Sequence, residues 1–450
     1  MSSKKEQTTT AMPVSQKVPF GERIAFGLGD LAANLFVQYI AVFLVVFYTD
    51  TLGIPSVIAG FIVLFSRIFD GVNDMAIAYI ADKFGNYRKW VLGFALLASL
   101  LFFTMFLNPS GLGVTGKVVY AVLTFSLWTI IHTCYNVPYN AMSSTVTADP
   151  HERTKLTSIR FMVIVPPVAC VSIFTPIIIK HVTPALGASF GYPIAALVWS
   201  VIGFIGVWIF AKTVKERVVI HRSPQQKVGL KETVRLVVTN EALIIQVGFF
   251  LFSNLRHNLN YAVLPYFFNY YLGNYSLLSI FSLINIPFSL AAIYVSSYVI
   301  KKMGKRNAGI FYSVVCIALF VCRFLFKQNI AAQLVIFLLY SIPSGGLTIV
   351  GFSMIADTVD YGIKKTGNET IRAVNYSVAL FFQKLSMGLS ATVLGVALAA
   401  FGYVANAGQS AESMRGILMC ASIFLAVITL IGMLILCFWK YDSTGTENNA

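Results

Sequence analysis

Apolar residues in this chain come in long unbroken runs, without the strict alternation of a strand or the narrow stripe of a soluble helix. Runs near the length needed to cross a bilayer core as helix recur along the whole sequence. The pattern predicts twelve spans, at 24–49, 56–81, 90–108, 117–142, 156–180, 189–211, 241–271, 276–300, 308–327, 330–357, 371–402 and 414–439. Polar residues interrupt the first, seventh, tenth and eleventh of these.

The loops predict an orientation. Those after spans 2, 4, 6, 8 and 10 carry Lys83, Arg88 and Lys89, then Arg153 and Lys155, then a basic stretch from Lys212 to Arg235, then Lys301, Lys302, Lys305 and Arg306, then Lys364 and Lys365. The loops after spans 1 and 7 have no Lys or Arg. Basic loops stay in the cytoplasm, so both termini are expected inside the cell (plasma or inner) membrane. The longest connection is polar and basic, and it divides the spans six and six. A short basic turn with a glycine follows span 2 (Lys83 to Lys89) and again span 8 (Lys301 to Arg306), which suggests a parallel repeat. The expected fold class is all-α: a polytopic membrane protein with twelve transmembrane helices in two six-helix bundles. The expected boundaries are a cytoplasmic tail at 1–22, a bundle at 23–212, a cytoplasmic linker at 213–240, a second bundle at 241–440 and a tail at 441–450.

Composition agrees. The chain of 450 residues is 57% hydrophobic and 11% charged, with a mean hydropathy of +0.76. A soluble domain carries about 25% charged residues. The net charge of +15 sits in the short loops, so it points to membrane topology and not to nucleic acid. The cysteines at 134, 170, 316, 322, 420 and 437 fall in spans without metal-ligand spacing and read as packed thiols. No phosphate loop, nucleophile motif or zinc signature suggests an enzyme.

The chemistry lies in polar residues at membrane depth, which are costly and persist where they face a protein interior or a watery cavity. Span 2 contains Arg67, Asp70, Asn73 and Asp74. Arg67, Asp70 and Asp74 share one helical face with Asn73 beside them. Two carboxylates and an amide suit a hard cation or a transferable proton. A salt bridge to Arg67 satisfies one carboxylate only, so the other must be protonated, bind a cation or pair with a distant base. Span 1 has a stripe of Asp30, Asn34 and Gln38, in which inter-helix hydrogen bonding explains the two amides as well as function does. Span 4 ends with Thr133, Asn136, Pro138 and Asn140, and the proline frees a backbone carbonyl. Arg160 lies near the basic end of span 5, where it could also snorkel. Span 7 is polar from Asn254 to Tyr261, and its Arg256 suits an anionic substrate group or a pairing with Asp30. Lys384 sits near mid-span in span 11, and Asp357 and Asp360 end span 10 where gating between halves is expected.

These motifs resemble the glycoside–pentoside–hexuronide:cation symporter family of the major facilitator superfamily. The resemblance covers residues 23 to 440 and rests on Gly27–Asp30, Phe47–Asp50, Arg67–Asp74, Tyr135–Tyr139, His151–Arg153, Arg160–Phe161, Ala356–Gly362 and Phe401–Asn406. It implies a cation site at Asp70, Asn73, Asp74 and Thr133, with Asp70 and Asp74 as metal ligands if the ion is Na⁺. It implies sugar contacts at Asp30 and Arg160, with Lys384 near both sites. Lys384, Asn34, Asn136, Asn140 and Arg256 complete the candidate substrate set, and Arg67 reads as a structural or gating partner. The chain departs from the melibiose branch at Asn136 (Asp there), Asn140 (Trp) and Thr348 (Trp). Losing a negative charge at Asn136 and gaining Arg256 would suit an acidic sugar. The implied activity is import of a sugar with Na⁺ or H⁺, with no cofactor beyond the coupling ion. The partners are the sugar, the cation and the lipid bilayer. The alternatives are a carrier of a lipid-like or other non-sugar substrate, or a non-transporting sensor.

Overall fold

The computed structural model describes residues 17–84, 87–147, 150–187, 189–217, 235–327, 329–367 and 371–441. Among these there is no strand. Each of the twelve expected intervals is helical over most of its length. The helices are α1 (Phe20–Gly29), α2 (Leu31–Val46), α3 (Ser56–Phe84), α4 (Tyr87–Met105), α5 (Val114–Val146), α6 (Pro150–Leu186) and α7 (Gly191–Thr213), then α8 (Glu241–Tyr266), α9 (Ser276–Leu325), α10 (Ile330–Thr366), α11 (Ile371–Ala400), α12 (Ala411–Ala421) and α13 (Ile423–Cys437). Much of the expected N-terminal tail, the linker and the C-terminal tail lies outside the described residues.

Among the described residues, nine stretches are long and apolar enough to span a membrane. Helices α3 and α8 are as long, and they carry polar side chains of the candidate sites. Two further details depart from the expected spans. The first helix starts at Phe20, earlier than expected, and breaks at Asp30 into α1 and α2. The turn between spans 8 and 9 is reduced to Gly304, whose φ of 77° divides α9 into two arms. A left-handed backbone there favours glycine.

A repeat invisible to hydropathy appears where α2 and α8 end. Each passes into a single π-turn, Phe47–Thr51 and Phe267–Tyr271. The local sequences match at Phe-x-x-x-x-Leu-Gly: Phe47 to Gly53 and Phe267 to Gly273. The bonds match too. Leu52 and Leu272 N–H donate to Phe47 and Phe267 O, and Ile54 and Asn274 N–H donate to Tyr48 and Phe268 O. Gly53 and Gly273 both take a left-handed φ, 69° and 67°.

These π-turns lie at the end of the molecule that carries the loops free of Lys and Arg, here the neutral end. The opposite end, with the even-numbered loops, is the basic end. The first and second sets of six spans meet along α3 with α11, α2 with α8 and α6 with α9. Glycine makes the α3–α11 approach possible. A Cβ on Gly395 would stand 2.1 Å from Ser56 O, on Gly60 2.7 Å from Ala391 O, and on Gly388 2.7 Å from Leu64 Cα. Ser56 Oγ donates to Gly395 O (2.8 Å) and Thr392 Oγ1 to Gly60 O (3.1 Å).

Candidate functional site

Helices α3 and α5 run side by side and supply the first cluster. Asp70 is buried, and Asp74, one turn nearer the basic end, is half-buried. Thr133 of α5 sits between them, with Oγ1 3.1 Å from Asp70 Oδ1 and 3.2 Å from Asp74 Oδ1. Lys384 of α11 reaches across from the other set of spans. Its Nζ is 2.5 Å from Asp74 Oδ2 and 2.9 Å from Asp70 Oδ2. Arg67 lies beneath, 3.5 Å from Asp70 Oδ2 and over the Phe125 ring at 5.5 Å. Asn73 shares this helix, and its Nδ2 is buried without a partner. Two carboxylates therefore face two basic groups. Their formal charges balance, which is what lets so polar a cluster lie inside a bundle. The Oδ2 oxygens of Asp70 and Asp74 converge on Lys384 Nζ, and their Oδ1 oxygens on Thr133 Oγ1.

The second cluster lies on α1, α2, α5 and α6. Asp30, at the break in the first span, accepts from Arg160 Nε at 2.7 Å and Nη2 at 2.6 Å. Arg160 Nη2 also donates to Asn140 Oδ1 (3.0 Å), and Asn140 Nδ2 donates to Asn136 Oδ1 (3.0 Å). Asn34 Nδ2 binds Asp30 O at 2.9 Å, and Gln38 Nε2 binds Ser172 Oγ at 3.1 Å. Thr133, Asn136 and Asn140 share a face of α5, so one helix contributes to both clusters. Pro138 leaves Cys134 O without its usual donor. The indole N–H of Trp90 takes that place, at 2.6 Å.

The structure thus brings Asp70, Asp74, Thr133, Arg67 and Lys384 together, and separately Asp30, Asn34, Asn136, Asn140 and Arg160. Arg256 stands apart from both. It is wholly buried within the second set of spans, bonded to the Tyr340 hydroxyl and to Ser344 Oγ (3.1 Å), with its guanidinium 5.3 Å from the Tyr340 ring. Asp30 is matched by Arg160 instead. Asn258, two residues on and so on the opposite face of α8, lines the small space between the two sets of spans and donates to Ser386. Asp357 is held by Lys305 Nζ at 2.6 Å, within the second set, and Asp360 is exposed.

Sequence reasoning missed a third polar group, at the neutral end. Asp50 in the first π-turn accepts from Tyr270 OH and Tyr403 OH, each at 2.6 Å, and Asn406 Nδ2 donates to Asp50 O. Thr49 Oγ1 and Tyr266 OH are 2.9 Å apart. These groups join the two sets of spans. Comparing the two Phe-x-x-x-x-Leu-Gly segments would have pointed to it. Hydrogen bonds that join the two sets are found at this end and at Lys384. Exposure rises the other way, from 4% at the Asp70 side chain to 34% at Asp74. Among the described residues, hydrogen bonds tie the two sets of spans together at the neutral end, and Asp74, nearer the basic end, is the more exposed of the two carboxylates.

The described groups of His, Cys, Asp and Glu contain no cluster of three that could hold a metal ion by themselves. A cation here would depend on hydroxyl and amide oxygens as well as the carboxylates. All six cysteines are free.

Comparison with known proteins places this architecture. The chain is 27% identical over 439 residues to a Bacillus subtilis (strain 168) protein named as the uncharacterized symporter YjmB, covering 95% of this chain and 94% of the other. It is 28% identical to an Escherichia coli (strain K12) protein provisionally named a 2,3-dihydroxypropane-1-sulfonate exporter, covering 94% of each. It is also 28% identical to the isoprimeverose transporter of Lactiplantibacillus pentosus, over 89% of this chain and 85% of that one. The fold matches a bacterial homologue of the human lysosomal transporter Spinster, crystallised inward-facing and unoccupied, with a TM-score of 0.71 at 11% identity over 94% of this chain and 98% of that one. The profile of the MFS/sugar transport protein family matches residues 25–443. This multi-pass membrane protein therefore belongs to the MFS/sugar transport family, and is a transporter and not an enzyme.

Proposed function

We propose that the chain imports a sugar, glycoside, pentoside or hexuronide in symport with Na⁺ or H⁺, by alternating access, with its basic end and both termini in the cytoplasm. The observation that carries this is the convergence of Asp70 and Asp74 of the first six spans on Lys384 of the second, with Thr133 Oγ1 bridging the two carboxylates. With Arg67 and Lys384 in place, the carboxylates are already balanced, so a coupling cation competes with the Lys384 ammonium for the same oxygens. Lys384 rides on the opposite half of the molecule. Ion occupancy and the packing of the two halves are thereby one equilibrium. A Na⁺ ion would take oxygens from Asp70, Asp74, Thr133 and the Asn73 amide, while a proton needs a carboxylate alone.

The sugar side of the reading is Asp30, Asn34, Asn136, Asn140 and Arg160. These groups offer donors and acceptors for hydroxyls, beside a pair whose charge is internally matched. Ion binding that frees α11 from α3 alters this neighbouring surface, and by linkage a sugar that favours the ion-bound form tightens the ion equally. The family and the isoprimeverose transporter support a sugar, and the relative named as an exporter keeps a small sulfonate and the outward direction in the assay.

The test is uptake into vesicles of purified protein with isoprimeverose, D-glucuronate and 2,3-dihydroxypropane-1-sulfonate, each with an inward Na⁺ gradient, an inward proton gradient or neither. The reading expects accumulation of one of the sugars under one gradient. Equilibration alone, unaffected by either gradient, would leave a uniporter and overturn it.

A further inference from the structure

We propose that Tyr135 and Tyr139 are positioning residues for the sugar site, their hydroxyls holding the break in the first span and through it the aim of Asp30. This rests on the reading that Asp30 and Arg160 meet the substrate.

The break is a matter of hydrogen bonds. In a continuous helix Asp30 N–H would donate to Phe26 O, four residues back. Here it donates to Gly27 O at 3.1 Å. The Phe26 carbonyl is taken up by Tyr139 OH at 2.7 Å, and Tyr135 OH donates to Gly29 O. Two side chains from α5 thus satisfy carbonyls on the last turn of α1, just ahead of Asp30. Both tyrosines are fully buried, so neither touches substrate.

Tyr139 also supports the other member of the pair. The Arg160 guanidinium carbon lies 5.1 Å from the centre of its ring, and the same ring stacks on Phe26 at 5.2 Å. The backbone of the first span is pressed flat on this surface. A Cβ on Gly29 would stand 2.6 Å from the Tyr139 ring, and one on Gly27 would stand 2.9 Å from Val163 Cβ and 3.2 Å from Arg160 Cα. A single buried side chain therefore fixes both the carboxylate and the guanidinium that face it. The melibiose-type departures at Asn136 and Asn140 flank this tyrosine on α5, so their aim depends on the same anchor.

Tyr139→Phe and Tyr135→Phe keep each ring and delete only the hydroxyl. In the full-length protein in nanodiscs, amide exchange over residues 26–36 and the KM for isoprimeverose and D-glucuronate are measured beside the half-saturating cation concentration. Loss of one net hydrogen bond predicts a rise of about 2- to 10-fold in both exchange rate and KM. The cation constant, set at Asp70 and Asp74, stays within about 2-fold. Unchanged exchange and KM in both variants would overturn the proposal. So would an equal loss of sugar and cation constants, which marks a general loosening of the fold. If the wild-type protein transports neither probe, the sugar reading is what has failed. The exchange rates then decide the tyrosines' role alone, with faster exchange supporting it and unchanged exchange overturning it.

Discussion

Replacing Lys384 by Gln removes the ammonium that joins α11 to α3 while keeping a polar side chain of similar reach. Its Nζ lies 2.9 Å from Asp70 Oδ2 and 2.5 Å from Asp74 Oδ2. At an effective dielectric of about 20, unit charges about 4 Å apart attract by about 4 kcal/mol. Solvent screens much of this, since 30% of the Lys384 side chain and 34% of the Asp74 side chain are exposed. Because the Asp70 side chain is only 4% exposed, a net effect of about 1–2 kcal/mol remains, above that of a fully exposed pair. If a cation must displace that ammonium, deleting it tightens cation binding by about tenfold, since about 1.4 kcal/mol is one decade. The assay is the thermal midpoint of purified protein titrated with NaCl at constant ionic strength, compared with LiCl and choline chloride. Lys384→Gln is expected to reach half its stabilisation at about one tenth of the wild-type Na⁺ concentration, and to lose gradient-driven accumulation. Weaker or unchanged Na⁺ affinity in a folded variant would refute the competition, making Lys384 a support of the ion site.

Three other perturbations probe the frame. Asp50→Asn weakens the acceptor shared by Tyr270 and Tyr403, so spin labels on the exposed residues Leu112 and Val404 are expected to show a larger long-distance population; an unchanged distribution would deny Asp50 a part in closure. Gly395→Ala places a methyl 2.1 Å from Ser56 O, and overpacking of this kind costs about 1–3 kcal/mol. The same label pair should report opening at the neutral end, whereas wild-type distances would contradict the packing argument. Arg256→Gln removes a buried cation from Tyr340 and Ser344, and is expected to lower the thermal midpoint while leaving the KM of a transported sugar within about 2-fold; a KM increase of tenfold or more without loss of stability would return Arg256 to the substrate site.

What could be read from the chain divides along physical lines. Twenty-residue apolar runs are dictated by bilayer thickness, so the helical class and most intervals followed from hydropathy alone. Charged residues inside such runs are conspicuous for the same reason. Asp70, Asp74, Thr133 and Lys384 are widely separated in sequence, yet the structure brings them within hydrogen-bond range. Arg256 was just as conspicuous, but which face of α8 it occupies depends on packing against α10, and no local pattern reveals that. The π-turns leave no mark on hydropathy. The tyrosines were hidden for another reason: Tyr135 and Tyr139 look like aromatic packing, and only the break at Asp30 shows that their hydroxyls have carbonyls to satisfy. The glycines of the α3–α11 seam likewise gain meaning from what lies opposite them.

The central claim is that Asp70 and Asp74 couple an ion to the substrate. It is tested most directly by accumulation of the transported sugar in vesicles under an imposed Na⁺ or proton gradient, comparing the wild-type protein with Asp70→Cys and Asp74→Cys at matched insertion. The account expects gradient-driven accumulation in the wild type and its loss in both variants. Full accumulation in both variants would contradict it.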